Sequence, residues 1–287
     1  MMRSRYALPQ ALGLVVALLF CNSSALLAQA PRRVVRPRVR TARPRPRKAR
    51  PDPSAKTPVV KATVAVAAAT TLTDEVLRNS ALSLQLLALT EEVKSADWGK
   101  MKGFLTELEK TQVESVVWFA RPDGSYYTVD KGLSDQNLKD RPYFPRVMAG
   151  KTVIGDLATS KSTGKDVVVV TAPVKKGDAV VGALGSSIYL DKLAERVATA
   201  LRLPSNAHFW ACDATGKKVA LSRQSKEIFL DPTSLNSPTL TQAVSQMVAQ
   251  PEGSISYDYQ GETVKGVYET SSLTGWHFVF GVLTPSK

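Results

Sequence analysis

The sequence predicts an α+β protein in which a long N-terminal helix precedes two antiparallel-sheet halves. Three observations point there. A helical apolar pattern runs from Thr73 to about Lys94. After it, one order of elements occurs twice: a hairpin, a helix, then three strands. Within each half the strands are joined by tight turns marked by Gly, Gly-Asp or Pro-Asp-Gly.

Taken in order, Thr73 is placed to cap the first helix, with Asp74 and Glu75 in the first turn, where acids favour a helix N-terminus. Val76, Leu77, Leu82, Leu84, Leu86, Leu87, Leu89 and Val93 give this helix a broad apolar face. Asp97 can cap a second helix carrying Met101, Phe104, Leu105 and Leu108. Val113–Phe119 and Ser125–Val129 form a hairpin across Arg121-Pro122-Asp123-Gly124. The run Asp140-Arg141-Pro142-Tyr143-Phe144-Pro145 opens a short helix that ends near Gly150. A strand to Ser160 follows, then Ser162-Thr163-Gly164-Lys165, the apolar strand Val167–Val174, the Gly177-Asp178 turn and a strand over Val180–Leu190. Asp191–Leu203 reads as a connecting helix stopped by Pro204. The second half has strands at Ala207–Cys212 and Lys218–Leu221 across Asp213-Ala214-Thr215-Gly216, then a helix near Pro238–Val248. Strands Ser254–Tyr259, Glu262–Glu269 and Trp276–Leu283 close it, with Gly253, Gly261 and Gly275 at the turns.

The order and residues of Asp140–Leu190 resemble the ligand-binding half of a Cache domain, the extracytoplasmic PAS-like sensor module of bacteria. Leu273-Thr274-Gly275-Trp276, opening the last strand, resembles the second half of tandem Cache domains, and the helical lead is similar to the helix that runs along both halves in that family. The resemblance covers about residues 72–284. It implies a double Cache fold, a long N-terminal helix plus two PAS-like antiparallel sheet subdomains, with halves at 72–190 and 191–287. It also implies a small-molecule-binding sensor. Because no second apolar segment of spanning length follows the N-terminal one, the expected output partner is a separate signalling protein.

The resemblance puts Arg141, Tyr143 and Phe144 at a pocket, with Asp156, Thr171 and Ser187 nearby. Physically, an arginine fork matches a carboxylate, and flanking aromatic rings exclude water and pack on the apolar part of a ligand. Read without the resemblance, Arg141 pairs with Asp140 or another local acid at the surface and the two aromatics belong to the core. Two departures bear on the ligand. Amino-acid-binding relatives carry a Tyr five residues before the Arg, where this chain has Gln136, and an Asp where Ser187 aligns. An ammonium group would lose its counter-ion there, so a carboxylate or a neutral molecule is expected in preference to an amino acid.

Enzyme chemistry finds no support, and no catalytic residue, metal ligand or cofactor is expected. Gly150-Lys151-Thr152 imitates the end of a phosphate-binding loop, but Pro145 stands where the earlier glycine is required, so a helix-terminating turn is the reading. His208 and His277 are the only histidines, each within an apolar strand pattern and without partners at suggestive spacing. Gly182-Ala183-Leu184-Gly185-Ser186 lacks the Gly-x-Ser-x-Gly order of a nucleophile elbow.

The net charge of +13 is confined to one region. Residues 31–58 hold nine Arg and two Lys against Asp52, a net of +10, and Arg3 and Arg5 bring the N-terminal excess close to the total. Residues 31–71 read as a basic, proline-rich disordered tether that either adheres through 31–58 to an anionic membrane or wall polymer, or serves as a spacer. It contains no aromatic residue to stack on bases, so nucleic acid is not the expected partner. Residues 1–30 read as a signal peptide, with Arg3 and Arg5 before the apolar run Ala11–Phe20, which implies a periplasmic or secreted protein. The arginines after the run oppose simple export and leave an uncleaved membrane anchor as the alternative. Cys21 leaves with a cleaved signal, and Cys212 is expected as a lone buried thiol.

Overall fold

The structure, a computed structural model, describes residues 61–204 and 206–285. The expected signal peptide and the tether up to residue 60 lie outside the described residues. Helix α1 (Ala62–Ala88) comes first, followed by α2 (Glu91–Lys94) and α3 (Trp98–Thr111). The first half contains β1 (Ser115–Ala120), β2 (Ser125–Thr128), β3 (Gly132–Asn137), α4 (Phe144–Met148), β4 (Val153–Thr159), β5 (Asp166–Lys176) and β6 (Ala179–Tyr189). Helix α5 (Leu190–Ala200) leads to the second half: β7 (Ala207–Cys212), β8 (Val219–Ser222), α6 (Pro238–Ala249), β9 (Glu252–Tyr259), β10 (Glu262–Thr270) and β11 (His277–Pro285).

Both sheets are antiparallel throughout, in the orders β3-β2-β1-β6-β5-β4 and β8-β7-β11-β10-β9. With β3 set aside, the two orders are the same, which confirms the repeated scheme of the sequence. The edge strand β3 was not expected. Its residues are mostly polar and exposed, so its pairing with β2 leaves no apolar alternation to read.

Helix α1 begins at Ala62, eleven residues before the expected cap at Thr73 and inside the expected tether. The reason is packing. Its buried positions Val66, Ala69, Thr73, Leu77, Ala81, Leu84 and Ala88 recur every three or four residues and include four small side chains, which let the helix lie close against both sheets. Thr70 and Thr73 return their hydroxyl protons to the carbonyls of Val66 and Ala69, so neither is left unpaired in the core. The helix also stops earlier than Lys94. Thr90 caps α2 instead, accepting from the Val93 amide at 3.4 Å, and the chain turns there. Asp97 caps α3 as expected, accepting from the Gly99 amide at 2.9 Å.

One core joins the halves. Val117, Phe119, Val168, Val170 and Leu184 from the first sheet and Phe209, Phe278 and Trp276 from the second half meet the buried face of α1 together with α5. On its opposite face each sheet carries a core of its own, under α4 in the first half and under α6 in the second. Strands such as β5 therefore bury both faces and read as unbroken apolar runs.

Polar ties fix α1 in place. Asp74 is buried and its two carboxylate oxygens accept from Ser271 Oγ at 2.7 and 2.9 Å, while Ser271 Oγ accepts from the amides of Leu273 and Thr274. Burial raises the pKa of Asp74 above the ordinary carboxylate range, against the Ser271 hydrogen bond, which lowers it. A second contact joins the halves beside this turn. Gly155, in the bulge of β4 with φ of +94°, would bring a Cβ within 2.9 Å of Thr274 Cγ2.

Cys212 is the lone buried thiol expected, its pKa pushed up to about 12 by burial. His277 is also a strand residue, its Nδ1 2.8 Å from Thr270 Oγ1. His208 lies 4.8 Å from the ring of Tyr259, and burial pushes its pKa from 6.5 down to about 4.

Two outcomes follow from these placements. Asp74→Ala is expected to lower unfolding free energy by about 1–3 kcal/mol in denaturant titration, because Ser271 loses its acceptor in the core. Asp74→Asn keeps an acceptor and carries no charge to desolvate, so it should lose less; equal losses would show that the hydrogen bond is not what holds the helix. For His208 the unfolded chain binds a proton between pH 6.5 and about 4 that the folded chain does not, so stability falls as pH drops through that window. Relative to His208→Gln, the parent should lose about 3 kcal/mol between pH 7 and pH 4, and parallel pH profiles for the two proteins would contradict the placement.

Candidate functional site

The first half holds a hollow of about 20 Å³ between its outer sheet face, the segment entering α4 and the end of β4. That is room for about one water-sized group. Pairing fixes which residues face it. Trp118 on β1 lies opposite Gly185 on β6, Val116 lies opposite Ser187, and Ser187 in turn pairs with Val169 on β5, so all of these share the outer face.

Trp118 forms the floor. A Cβ at Gly185 would stand 2.1 Å from its Cζ2, so only a glycine lets the indole lie down across β6. The indole then donates Nε1–H to Ser187 Oγ at 3.0 Å. Tyr126 packs edge-on against Trp118 at 6.5 Å and Tyr143 lies tilted at 6.2 Å, giving an aromatic wall.

The polar groups come from the turn before α4 and from β4. The Arg141 amide donates to the Leu138 carbonyl and the Phe144 amide to the Arg141 carbonyl, a local turn that directs Arg141 to the end of β4. Its Nη2 donates to the Thr159 carbonyl at 2.6 Å. Arg141 makes no ion pair among the described residues, although its charge also acts on the neighbouring Asp140 carboxyl. Asp140, the expected surface partner, pairs with Lys161 at 2.6 Å instead, which holds the Asp140 carboxyl below the usual range. Tyr143 is 4% exposed, and its hydroxyl has no hydrogen-bond partner among the described residues. Burial raises its pKa, so it remains a neutral donor. The site thus presents a guanidinium with donors to spare, a free phenol proton and an apolar aromatic floor. Such a set suits a small acceptor-rich ligand.

Of the residues expected at the site, the structure brings Arg141, Tyr143 and Ser187 to the hollow. Phe144 is buried in the core beneath it and does not line it. Thr171 lies on the same sheet face, opposite Gly185, deeper and beyond the hollow, and its hydroxyl finds no partner. Asp156 stands outside the hollow on β4, paired with Arg146 of α4, while burial raises its pKa. Trp118, Tyr126 and Lys161 line the hollow and were missed by sequence reading. For Trp118 the signal was present in a bulky aromatic on one strand with a glycine in the middle of another. Gly150 has φ of +83° at the end of α4, the helix-terminating turn expected in place of a phosphate loop. No group of three or more His, Cys, Asp or Glu able to hold a metal occurs among the described residues, and no helix among them is long and apolar enough to cross a membrane.

A family model described as a Cache domain matches residues 60–284. The fold is similar to the ligand-binding domain of the Pseudomonas aeruginosa PAO1 amino acid chemoreceptor PctB in complex with L-Arg, with a TM-score of 0.63 at 14% identity over 77% of this chain and 93% of that one. It is also similar to the sensory domain of the Campylobacter jejuni chemoreceptor Tlp3 with isoleucine bound, with a TM-score of 0.57 at 13% identity over 78% of this chain and 91% of that one. No curated protein matches the chain. With a family match spanning most of its length and two antiparallel halves strung on one long helix, the chain belongs to the Cache domain family.

Proposed function

We propose that this chain is an extracytoplasmic sensor module that binds a small molecule in its first half and passes the outcome to a separate signalling protein. The observation that carries the reading is the unpaired Arg141 beside the unpartnered hydroxyl of Tyr143, both at a hollow walled by Trp118 and Tyr126. The similarity to chemoreceptor ligand-binding domains supports small-molecule recognition as the role. Binding rather than catalysis is the role: the hollow contains donors and aromatic surface but no nucleophile–base pair.

The ligand is a small carboxylate or a neutral acceptor-rich molecule. A carboxylate would accept from the free N–H groups of Arg141 and from Tyr143, a pair of contacts that water competes for poorly once the aromatic wall closes over it. An amino acid is a poorer fit. At Ser187 the nearest oxygen already accepts from the Trp118 indole, so no negative group stands there to balance an ammonium. In this reading residues 1–30 direct export and residues 31–60 tether the body, so that residues 61–285 act outside the cytoplasm.

A thermal-shift screen of short-chain mono- and dicarboxylates against amines and amino acids should find stabilisation by the acids. Arg141→Ala should then weaken the best acid by 10-fold or more, from about 1.5–3 kcal/mol of charge-assisted hydrogen bonding lost. Ser187→Asp should shift preference toward ligands that carry an amine. A tight-binding Arg141→Ala variant would end the assignment.

A second reading concerns the basic segment alone, and its net charge of +10 over residues 31–58 favours it. If that segment adheres to anionic surfaces, binding to acidic lipid vesicles should weaken steeply with salt and disappear on deletion of residues 31–58. Vesicle binding that survives the deletion would leave the segment a spacer.

A further inference from the structure

The second half has a hollow of its own. Its volume is about 20 Å³, and it is bounded by the outer face of the second sheet and by the connection from β8 to α6. His208, Trp210 and Tyr257 supply the sheet side, with Tyr259 at the margin; Glu227 and Leu235 come from the connection.

The hydrogen bonds at this hollow centre on Glu227. Ser222 Oγ donates to Glu227 Oε2 at 2.7 Å, the Tyr259 hydroxyl donates to Glu227 Oε1, and Trp210 Nε1–H donates to the Tyr257 hydroxyl at 2.8 Å. Three of the donors around the hollow are thereby committed, the Tyr257 hydroxyl accepts and keeps its own proton, and each Glu227 oxygen accepts one hydrogen bond. Glu227 is a carboxylate only 7% exposed, with lone pairs left over and no Lys or Arg paired to it among the described residues. The neighbouring cations point elsewhere: Lys218 sits over the Phe229 ring at 4.5 Å, and Arg223 donates to the carbonyls of Pro204 and Ala207. His208 is 9% exposed, and neither ring nitrogen has a hydrogen-bond partner among the described residues. The imidazole is held neutral at physiological pH by burial, so one of its nitrogens is an acceptor. The faces of Tyr257, Tyr259 and Trp210 complete the surroundings.

A buried carboxylate without a counter-ion, an acceptor imidazole and three electron-rich rings form a receptor for a cation that brings its own protons. An anion meets an unscreened carboxylate here, and a neutral hydrocarbon leaves the polar groups unmatched. A primary ammonium supplies up to three N–H donors for Glu227 and His208 and a positive charge for the rings. The volume of about 20 Å³ admits about one water-sized group, the ammonium head alone, so the rest of such a ligand lies toward the mouth of the hollow. We infer that the second half is a second binding site, selective for the ammonium head of a small organic amine and separate from the acceptor-binding site of the first half.

The full chain titrated with ethylammonium chloride, followed by nuclear magnetic resonance or calorimetry at constant ionic strength, tests this. Saturable binding is expected, with acetate and ethanol at least 10-fold weaker. Glu227→Gln should raise the dissociation constant 10-fold or more while circular dichroism reports an intact fold, and His208→Phe should raise it in the same direction. Arg141→Ala should leave it unchanged, which separates this site from that of the first half. Absence of saturable ethylammonium binding, equal binding by Glu227→Gln, or equal binding of acetate would each overturn the assignment.

Discussion

Neither sheet can bury its inner face alone. Left to itself the first sheet would expose Phe119, Val168 and Leu184 on that face, and the second would expose Phe209 and Phe278. Helix α1, about 40 Å long from its 27 residues, is the cover common to both. Its use of Ala, Thr and Ser at buried positions is a requirement of distance: two sheets and a helix can share one core only if the helix backbone comes close to each. The cost is that small side chains give up apolar area, and the structure offsets it with hydrogen bonds, chiefly the Asp74–Ser271 pair and the chain Ser80–Gln112–Ser115 that ties α1 to the end of α3 and to β1.

The two hollows lie on the opposite, outward faces, where each sheet has a smaller private core. This separation lets the central packing remain fixed while the outer faces vary in chemistry. The first hollow shows how local such variation is. One glycine admits the Trp118 indole over β6, the indole takes the oxygen of Ser187, and the same ring is packed by Tyr126 and Tyr143. The floor and the aromatic wall of the hollow follow from that one pairing across β1 and β6, while its charged groups come from the turn before α4 and the turn after β4. The second hollow differs in chemistry because its buried acid, Glu227, arrives from the connection after β8 and not from the sheet.

Much of this was legible in the sequence because the determinants were local. The repeated order of elements, the turns at Gly124, Gly177 and Gly216, the cap at Asp97 and the continuous apolar strands each announce themselves within a few residues. What the sequence hid depends on tertiary partners. Residues 62–72 look like a continuation of the basic tail because their Ala and Val side chains make a helical seam only when two sheets meet it. The polar strand β3 exists by pairing with β2. At the first hollow, the expected Arg141, Tyr143 and Ser187 are lining residues, whereas Trp118 reaches it by strand register from outside the Asp140–Leu190 stretch and Lys161 by a turn within it. Thr171 alternates onto the correct face yet lies too deep, since alternation gives the side of a sheet and not the position along the strand.

The contact between Gly155 and Thr274 has a mechanical meaning. Side chains that meet across an interface can usually rotate and take up a displacement of an ångström or so without passing it on. Here one partner has no side chain, and the other is β-branched and stiff about its first torsion. Next to Gly155, Asp156 is clasped by Arg146 of α4, the helix entered through Arg141 and Tyr143. On the far side, Thr274 belongs to the turn whose Ser271 is held by α1. The first half therefore meets the second at a close backbone approach, with the bulge of β4 on one side and the turn held by α1 on the other.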